Sequence, residues 1–398
     1  MPTWLDNLSK VAAKSRRVIL GAMSGTSANS IDVAVCAISD FGPPHQGIPG
    51  ARVELKHFYS HPFPPDLQNS IFDVLSLNVR EISELHAALG DLFADACEAA
   101  LVEAKMGIDK VDLIGSHGQT VYHHSGNPGA TKTSLQLADA DRIAERLGCA
   151  VFSDFRARDL ACGGEGAPLT PYSDLILFGG RSDTAIINLG GIANITVLNS
   201  DPEKVFGFDC GPANAPLDRL ARILSGGEQN FDPSGERAWL GKADHRFVER
   251  LLADDPYLKR KPPKSTGFEM YGDEFVGKLI DKYGAADNNL MASVAEFVAR
   301  TIFQAVEKYV LPVRKIDQIV LAGGGCKNTF LVSRIKDLLA PLAVRMSEDF
   351  GVPNDAREAM AFAVLANDAL GGLPTALRSV TGARRTDTLG KLSLPRLS

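Results

Sequence analysis

The chain has 398 residues, with 42 Lys+Arg against 48 Asp+Glu, a formal charge of −6. Hydrophobic residues make up 45% and charged residues 23%, which excludes a disordered, collagen-like or coiled-coil chain. The mild acidity argues against general nucleic-acid binding and leaves a small anionic substrate open.

Positions 1–17 read as a lead-in, helical or frayed. Val18–Met23 is a strand, Ser24–Ser30 a turn and Ile31–Ile38 a second strand, so the chain opens on a β-hairpin. Positions 39–50 form a Pro/Gly-rich loop, and Arg52–His61 is a third strand. Pro65–Leu77 and Val79–Met106 are helical; in the second, Ile82, Leu85, Leu89, Leu92 and Phe93 fall near one face. Lys110–Gly115 is a strand running into a Ser116–Thr120 turn. Leu135–Leu147 is helical, Ala150–Phe152 a short strand, Cys162–Pro168 a loop and Pro171–Leu177 a helix. Then the opening pattern returns. Thr184–Leu189 and Ile192–Leu198 are strands around Gly190–Gly191, a faint internal repeat that two unrelated hairpins would also produce. Helices follow near Pro216–Leu224, His245–Leu252 and Leu290–Val310. Gln318–Ala322 is a strand, Gly323–Gly325 a turn, Thr329–Leu339 a helix and Ala356–Leu370 a buried, Ala-rich helix. Beyond Leu370 the charges are Arg378, Arg384, Arg385, Lys391 and Arg396 against Asp387 alone, and this basic stretch reads as an extended tail. Alternating strands and helices give an α/β class, and two hairpin-headed halves imply two similar domains around a cleft. Length alone predicts two to three domains, each able to bury a core.

The six cysteines are scattered with no CxxC pair, so they read as reduced thiols of a cytoplasmic protein. No apolar run reaches the ~18 residues of a membrane span. The runs Ser24-Gly25-Thr26-Ser27, Gly190–Asn194 and Gly323–Gly325 place glycines and small polar residues at strand ends. There the backbone can approach a phosphate and offer N–H groups, and the last run precedes a helix N-terminus. Each is equally readable as a plain turn. The P-loop pattern and a GxGxxG opening a first βαβ unit are both missing. Asp32, Asp154 and Asp209 stand beside these turns as carboxylates for a base or for Mg²⁺, or as capping residues. Arg156 sits where it would keep Asp154 ionised, or form an ordinary ion pair. His117 in Ser116–Thr120 is suited to sugar hydroxyls or to a structural turn.

Together, Ala22–Ser27, Ser116–Thr120, Asp154–Arg156 with Gly163–Pro168, Asn188–Asn194, Phe208–Asn214, Pro262–Gly267 and Gly351–Ala363 resemble, in order, the anhydro-N-acetylmuramic acid kinases of the actin/hexokinase/Hsp70 superfamily. The resemblance runs from about Val18 to Leu370, which is most of the chain. It implies two ribonuclease H-like domains, 1–140 and 141–375, with a 376–398 tail packing back on the first. It implies an ATP-dependent kinase that opens a 1,6-anhydro ring with water and phosphorylates O6, in cell-wall recycling. By the same resemblance Asp154 is the base, and His117, Arg156 and Glu358 contact the sugar. Ser24, Gly25, Thr26, Asn29, Gly190, Gly191, Asn194 and Gly211 serve phosphates, Gly323, Gly324 and Gly325 the adenosine, and Asp32 and Asp209 Mg²⁺. It allows a homodimer, with no nucleic-acid or membrane partner. The chain departs from the family pattern in places: Asn29 replaces an acidic residue, Phe268 an arginine, and Cys326-Lys327 an Ala-His pair. These departures keep open a levoglucosan or other sugar kinase, and a nucleotide-binding pseudoenzyme or regulatory protein.

Overall fold

The computed structural model describes residues 3–25, 28–40, 42, 50–124, 131–179, 183–262, 264 and 266–396. The chain divides into two compact units, one of residues 1–181, 200–205 and 351–398, the other of 182–199 and 206–350.

The first unit is built on β1 (Arg16–Ser24), β2 (Ser30–Ser39), β3 (Arg52–Pro62), β4 (Leu113–His124), β5 (Thr133–Leu137) and β6 (Val151–Ser153). β1, β2 and β3 form an antiparallel meander, while β4 adds to β1 and β6 to β4 in parallel, giving the order β6-β4-β1-β2-β3. Successive side chains on β1 point to opposite faces. Leu20 and Ala22 enter a core with Leu89, Phe93 and Cys97 of the helix Val79–Glu103. That helix starts cleanly because Asn78 and Glu81 form a reciprocal capping box. Gly21, between Leu20 and Ala22, faces the helix Arg357–Leu370. A Cβ there would stand 1.8 Å from the Ala359 carbonyl oxygen, so the helix can lie on the strand only over a residue with no side chain.

The second unit contains β7 (Thr184–Leu189), β8 (Ile192–Val197), β9 (Phe206–Pro212), β10 (Gln318–Ala322) and β11 (Ala343–Met346). β7, β8 and β9 are again an antiparallel meander, and β10 and β11 extend β7 in parallel, giving β11-β10-β7-β8-β9. The two sheets thus repeat one strand order, which gives the faint sequence repeat a structural meaning. The core of this unit is organised by the helix Asn288–Ala305, buried almost throughout. Its final turn widens at Val306–Val310, where Leu311 N–H reaches the Val306 carbonyl. The last strand, β12 (Lys391–Ser393), returns to pair antiparallel with β6 of the first sheet.

The units cut the chain differently from a split at residue 140. β6 completes the first sheet from residue 151 onward, and the helix Arg357–Leu370 lies against β1 and β4. Locally, three segments also differ from the sequence reading. Ser116–Thr120 is part of β4 rather than a turn beyond it, residues 135–137 belong to β5 before the helix Ala140–Leu147, and Phe155–Ala161 is a short helix. Polar side chains in 116–120 imitate a turn, but all but Thr120 are buried there.

Candidate active site

In the first unit the motifs converge on the ends of β1, β4 and β6. β4 carries a bulge opposite β1: Ala22 pairs with Ser116 and Met23 with Gly118, leaving His117 as the extra residue. A bulge re-aims the side chain it carries. The His117 Nδ1–H donates to the Gly118 carbonyl at 3.0 Å, so Nε2 is the acceptor and takes the Arg156 Nε–H at 3.1 Å. Burial and the Arg156 charge push His117 well below the ordinary histidine range, so the ring is neutral. Arg156 also donates from Nη1 to the Gly166 carbonyl at 2.8 Å. Burial pulls its guanidinium down to about 10, against the Glu358 charge, so it stays a cation at neutral pH. The rings of His117 and Phe155 both pack on Phe362, at centroid distances of 4.6 and 5.4 Å.

Asp154 precedes the helix Phe155–Ala161 in the left-handed region, φ 50° and ψ 49°, and makes no capping bond to that helix. Such a backbone is strained for a residue with a Cβ. Its carboxylate meets the Lys391 ammonium. This corrects the expected Arg156–Asp154 pairing, because Arg156 is turned to His117 and Gly166. Asp159 holds the neighbouring glycine loop, accepting the Gly166 N–H and the Thr381 hydroxyl, both at 2.7 Å.

Glu358 lies in the first turn of Arg357–Leu370. Solvent reaches it, yet desolvation by the protein around it raises its carboxyl above the usual range, with Arg357 and Arg156 opposing and Asp32 and Asp174 adding to the rise. Arg357 grips buried Asp174 with two bonds, at 3.0 and 2.5 Å, which pins the start of that helix. Ser24 is buried at the end of β1, and the Gly25 carbonyl accepts the Gln119 amide at 3.2 Å, tying the first turn to the Ser116–Thr120 segment. Thr26 lies outside the described residues. Asn29 is exposed, its side-chain oxygen 3.4 Å from Gln68 Nε2. Asp32 accepts the Ser60 and Ser30 hydroxyls at 2.6 and 3.0 Å. Ser116 Oγ and Gln119 Oε1 are buried with no hydrogen-bond partner among the described residues, a costly state that a polar ligand would relieve.

In the second unit Gly190 and Gly191 form the two-residue link between β7 and β8. Their carbonyls accept the N–H groups of Asn214, Ala213 and Ala215, which fixes the start of the helix Asn214–Leu224. Asn194 on β8 stands opposite Asn188 on β7 and Asp209 on β9. Asp209 accepts the Thr266 N–H at 3.0 Å, and Gly211 follows on the same strand. The residue that stands for the missing arginine, Phe268, opens a short helix, and its side chain lies outside the described residues. Gly323 has φ 89°, and a Cβ there would lie 2.8 Å from Asn188 Oδ1, so this turn after β10 admits only glycine. Gly324 and Gly325 line a cavity of about 250 Å³ with Asn214, Asp218, Phe231 and Lys327. Burial pushes the Asp218 carboxyl up to about 7. Lys391 and Asp218 both escape the sequence reading. Lys391 lies in a tail with no motif, and Asp218 looks like any polar residue on an amphipathic helix.

The fold is α/β, with one strand order used twice and glycine turns at the strand ends of each copy. The sequence profile of the anhydro-N-acetylmuramic acid kinase family matches residues 17–395, and the chain belongs to that family. It is 38% identical to the anhydro-N-acetylmuramic acid kinase of Caldanaerobacter subterraneus subsp. tengcongensis, over 98% of this chain and 100% of that one. It is also 38% identical to that of Salinibacter ruber, over 98% and 100%. Among solved structures, the activator of the 2-hydroxyisocaproyl-CoA dehydratase from Clostridium difficile with bound ADPNP aligns over 89% of this chain and 96% of its own. Its identity is 10% and its TM-score 0.44. Among the described residues no helix is long and apolar enough to cross a membrane.

Proposed function

We propose that this chain converts 1,6-anhydro-N-acetylmuramic acid, ATP and water to N-acetylmuramate 6-phosphate and ADP, in the recycling of cell-wall sugars. Water oxygen bonds to C1 as the C1–O6 bond breaks. O6 takes the γ-phosphoryl group as the bond from phosphorus to the β-phosphate oxygen breaks. The water proton passes to Asp154 and then to solvent. O6 needs no proton, because the phosphoryl group captures it.

The observation that carries this reading is Asp154, a carboxylate that a strained backbone withholds from capping its own helix. Two residues on, Arg156 is held by the neutral His117 ring, and its cationic guanidinium is suited to sugar oxygens. Glu358 and the unpaired Ser116 and Gln119 atoms add acceptors and donors on the sugar side. In the first unit Ser24, Gly25, Thr26 and Asn29 serve phosphate oxygens. In the second, Gly190, Gly191, Asn194 and Gly211 do so, and the cavity at Gly324 and Gly325 takes the adenosine.

Asp32 and Asp209 carry the hard oxygen donors Mg²⁺ prefers. Mg²⁺ is usually held by one or two carboxylates with phosphates and water rather than by a protein cage. Among the described residues no group of three or more His, Cys, Asp or Glu could hold a metal ion. When bound, the ion would neutralise phosphate charge.

The test is ADP release with the anhydro-muramic sugar, levoglucosan and plain hexoses. Turnover is expected with the first. Turnover confined to hexoses would reject ring opening, and tight ATP binding with no turnover would reject an enzyme. Asp154→Asn should cut kcat by about 10²–10⁴-fold; retained activity would remove it as the base.

A further inference from the structure

We propose that Lys391, in the C-terminal tail, is a positioning residue for the reaction, its ammonium fixing the direction of the Asp154 carboxylate. The inference rests on Asp154 being the base.

The tail is built to deliver this lysine. β12 pairs with β6 in the register Lys391 to Ser153, which sets the lysine beside the residue just before Asp154. Gly390, at φ 99°, passes so close to Phe155 that a Cβ would lie 3.2 Å from the ring. Upstream, the tail is fastened to the same motif region. The Thr381 hydroxyl donates to Asp159, the Thr381 carbonyl accepts the Glu165 N–H at 2.9 Å, and the Arg384 N–H reaches the Cys162 carbonyl at 2.9 Å. The short strand β12 thus closes a path that ends on one carboxylate.

Stability does not explain the pair. The Lys391 side chain is 70% exposed and that of Asp154 33%, and ion pairs so open to water contribute little to folding. Asp154, in its left-handed position, takes no bond from its own helix N-terminus. The ammonium supplies the orientation that a cap would otherwise supply. A base must present its oxygen to the water within a narrow range, and a misplacement of about 1 Å costs on the order of 10²-fold in rate.

The experiment compares Lys391→Met, Lys391→Arg and Asp154→Asn in the full chain. Lys391→Met should lower kcat by about tenfold or more, with KM for sugar and ATP within about twofold and thermal stability unchanged. Lys391→Arg should recover most of the rate. A Lys391→Met enzyme with wild-type kcat beside an inactive Asp154→Asn would overturn the inference and leave the base in place. A loss matched by a fall in Tm, and not recovered by arginine, would reduce Lys391 to a structural contact. An active Asp154→Asn would remove the base and the inference together.

Discussion

His117 shows what a single residue contributes. Its Nδ1–H is committed to the Gly118 carbonyl and its Nε2 to the Arg156 Nε–H. The ring therefore has no free proton to give and no free lone pair to receive one. It steers Arg156 and does not act as an acid or base. Its depressed proton affinity sets a pH dependence with a definite sign. Below about 6.5 the unfolded chain binds a proton that the folded chain refuses, so stability falls as the pH drops. His117→Gln, which keeps an acceptor, should flatten the loss of urea stability between pH 7 and pH 5 while lowering sugar turnover. An unchanged slope would place the acid sensitivity elsewhere. His117, Arg156 and Asp154 were all legible as motif residues. Their partners were not, because the bonds join distant parts of the sequence, Arg156 to His117 and Asp154 to Lys391. The local guess, Arg156 on Asp154, lost to a cation from the far end of the chain.

Among elements, the pairing of β1 with the helix Arg357–Leu370 governs how Glu358 is presented. Arg357 and Asp174 pin the helix start, and Gly21 lets the helix settle against the strand. Gly21→Val would drive a side chain into the Ala359 carbonyl. Overpacking of this kind costs about 1–3 kcal/mol, and the helix must shift, taking Glu358 with it. A fall in the urea midpoint together with a raised KM for the sugar is expected, while ATP affinity changes less. A variant as stable as the wild type would mean the helix has slack that the close approach denies. Hairpin strands and long amphipathic helices were readable because alternation and helical spacing are local signals. The segment Ser116–Thr120 was not, because its polar residues are buried in a strand by tertiary packing. Nor was β5, which spans only Thr133–Leu137 and lies so close to the helix Ala140–Leu147 that Leu135–Leu147 reads as one element.

The whole molecule is one strand order used twice, with its own core in each unit. In the sequence this shows only as a faint repeat of hairpin and glycine turn, which two unrelated hairpins would also produce. The return of residues 200–205 and 351–375 to the first unit was hidden, since no linker composition marks the crossings. Global pH stability joins the two units through opposed terms. His117 in the first weakens the fold toward acid, while Asp218 in the second weakens it toward alkali. The folded carboxyl of Asp218 keeps its proton up to about 7, whereas the unfolded one loses it near 3.8. Its stabilising share is whole below about pH 4 and is lost as the pH rises through 7. Asp218→Asn keeps the neutral form at every pH, so its advantage over the wild type should grow between about pH 4 and pH 7 and then level off. Asp218 is only partly buried, which discounts the full shift to a gain on the order of 1–2 kcal/mol at pH 8. Urea denaturation of both proteins across this range reads the slope. Parallel curves would show that the cavity beside Gly324 and Gly325 is wet enough to ionise Asp218 at no cost.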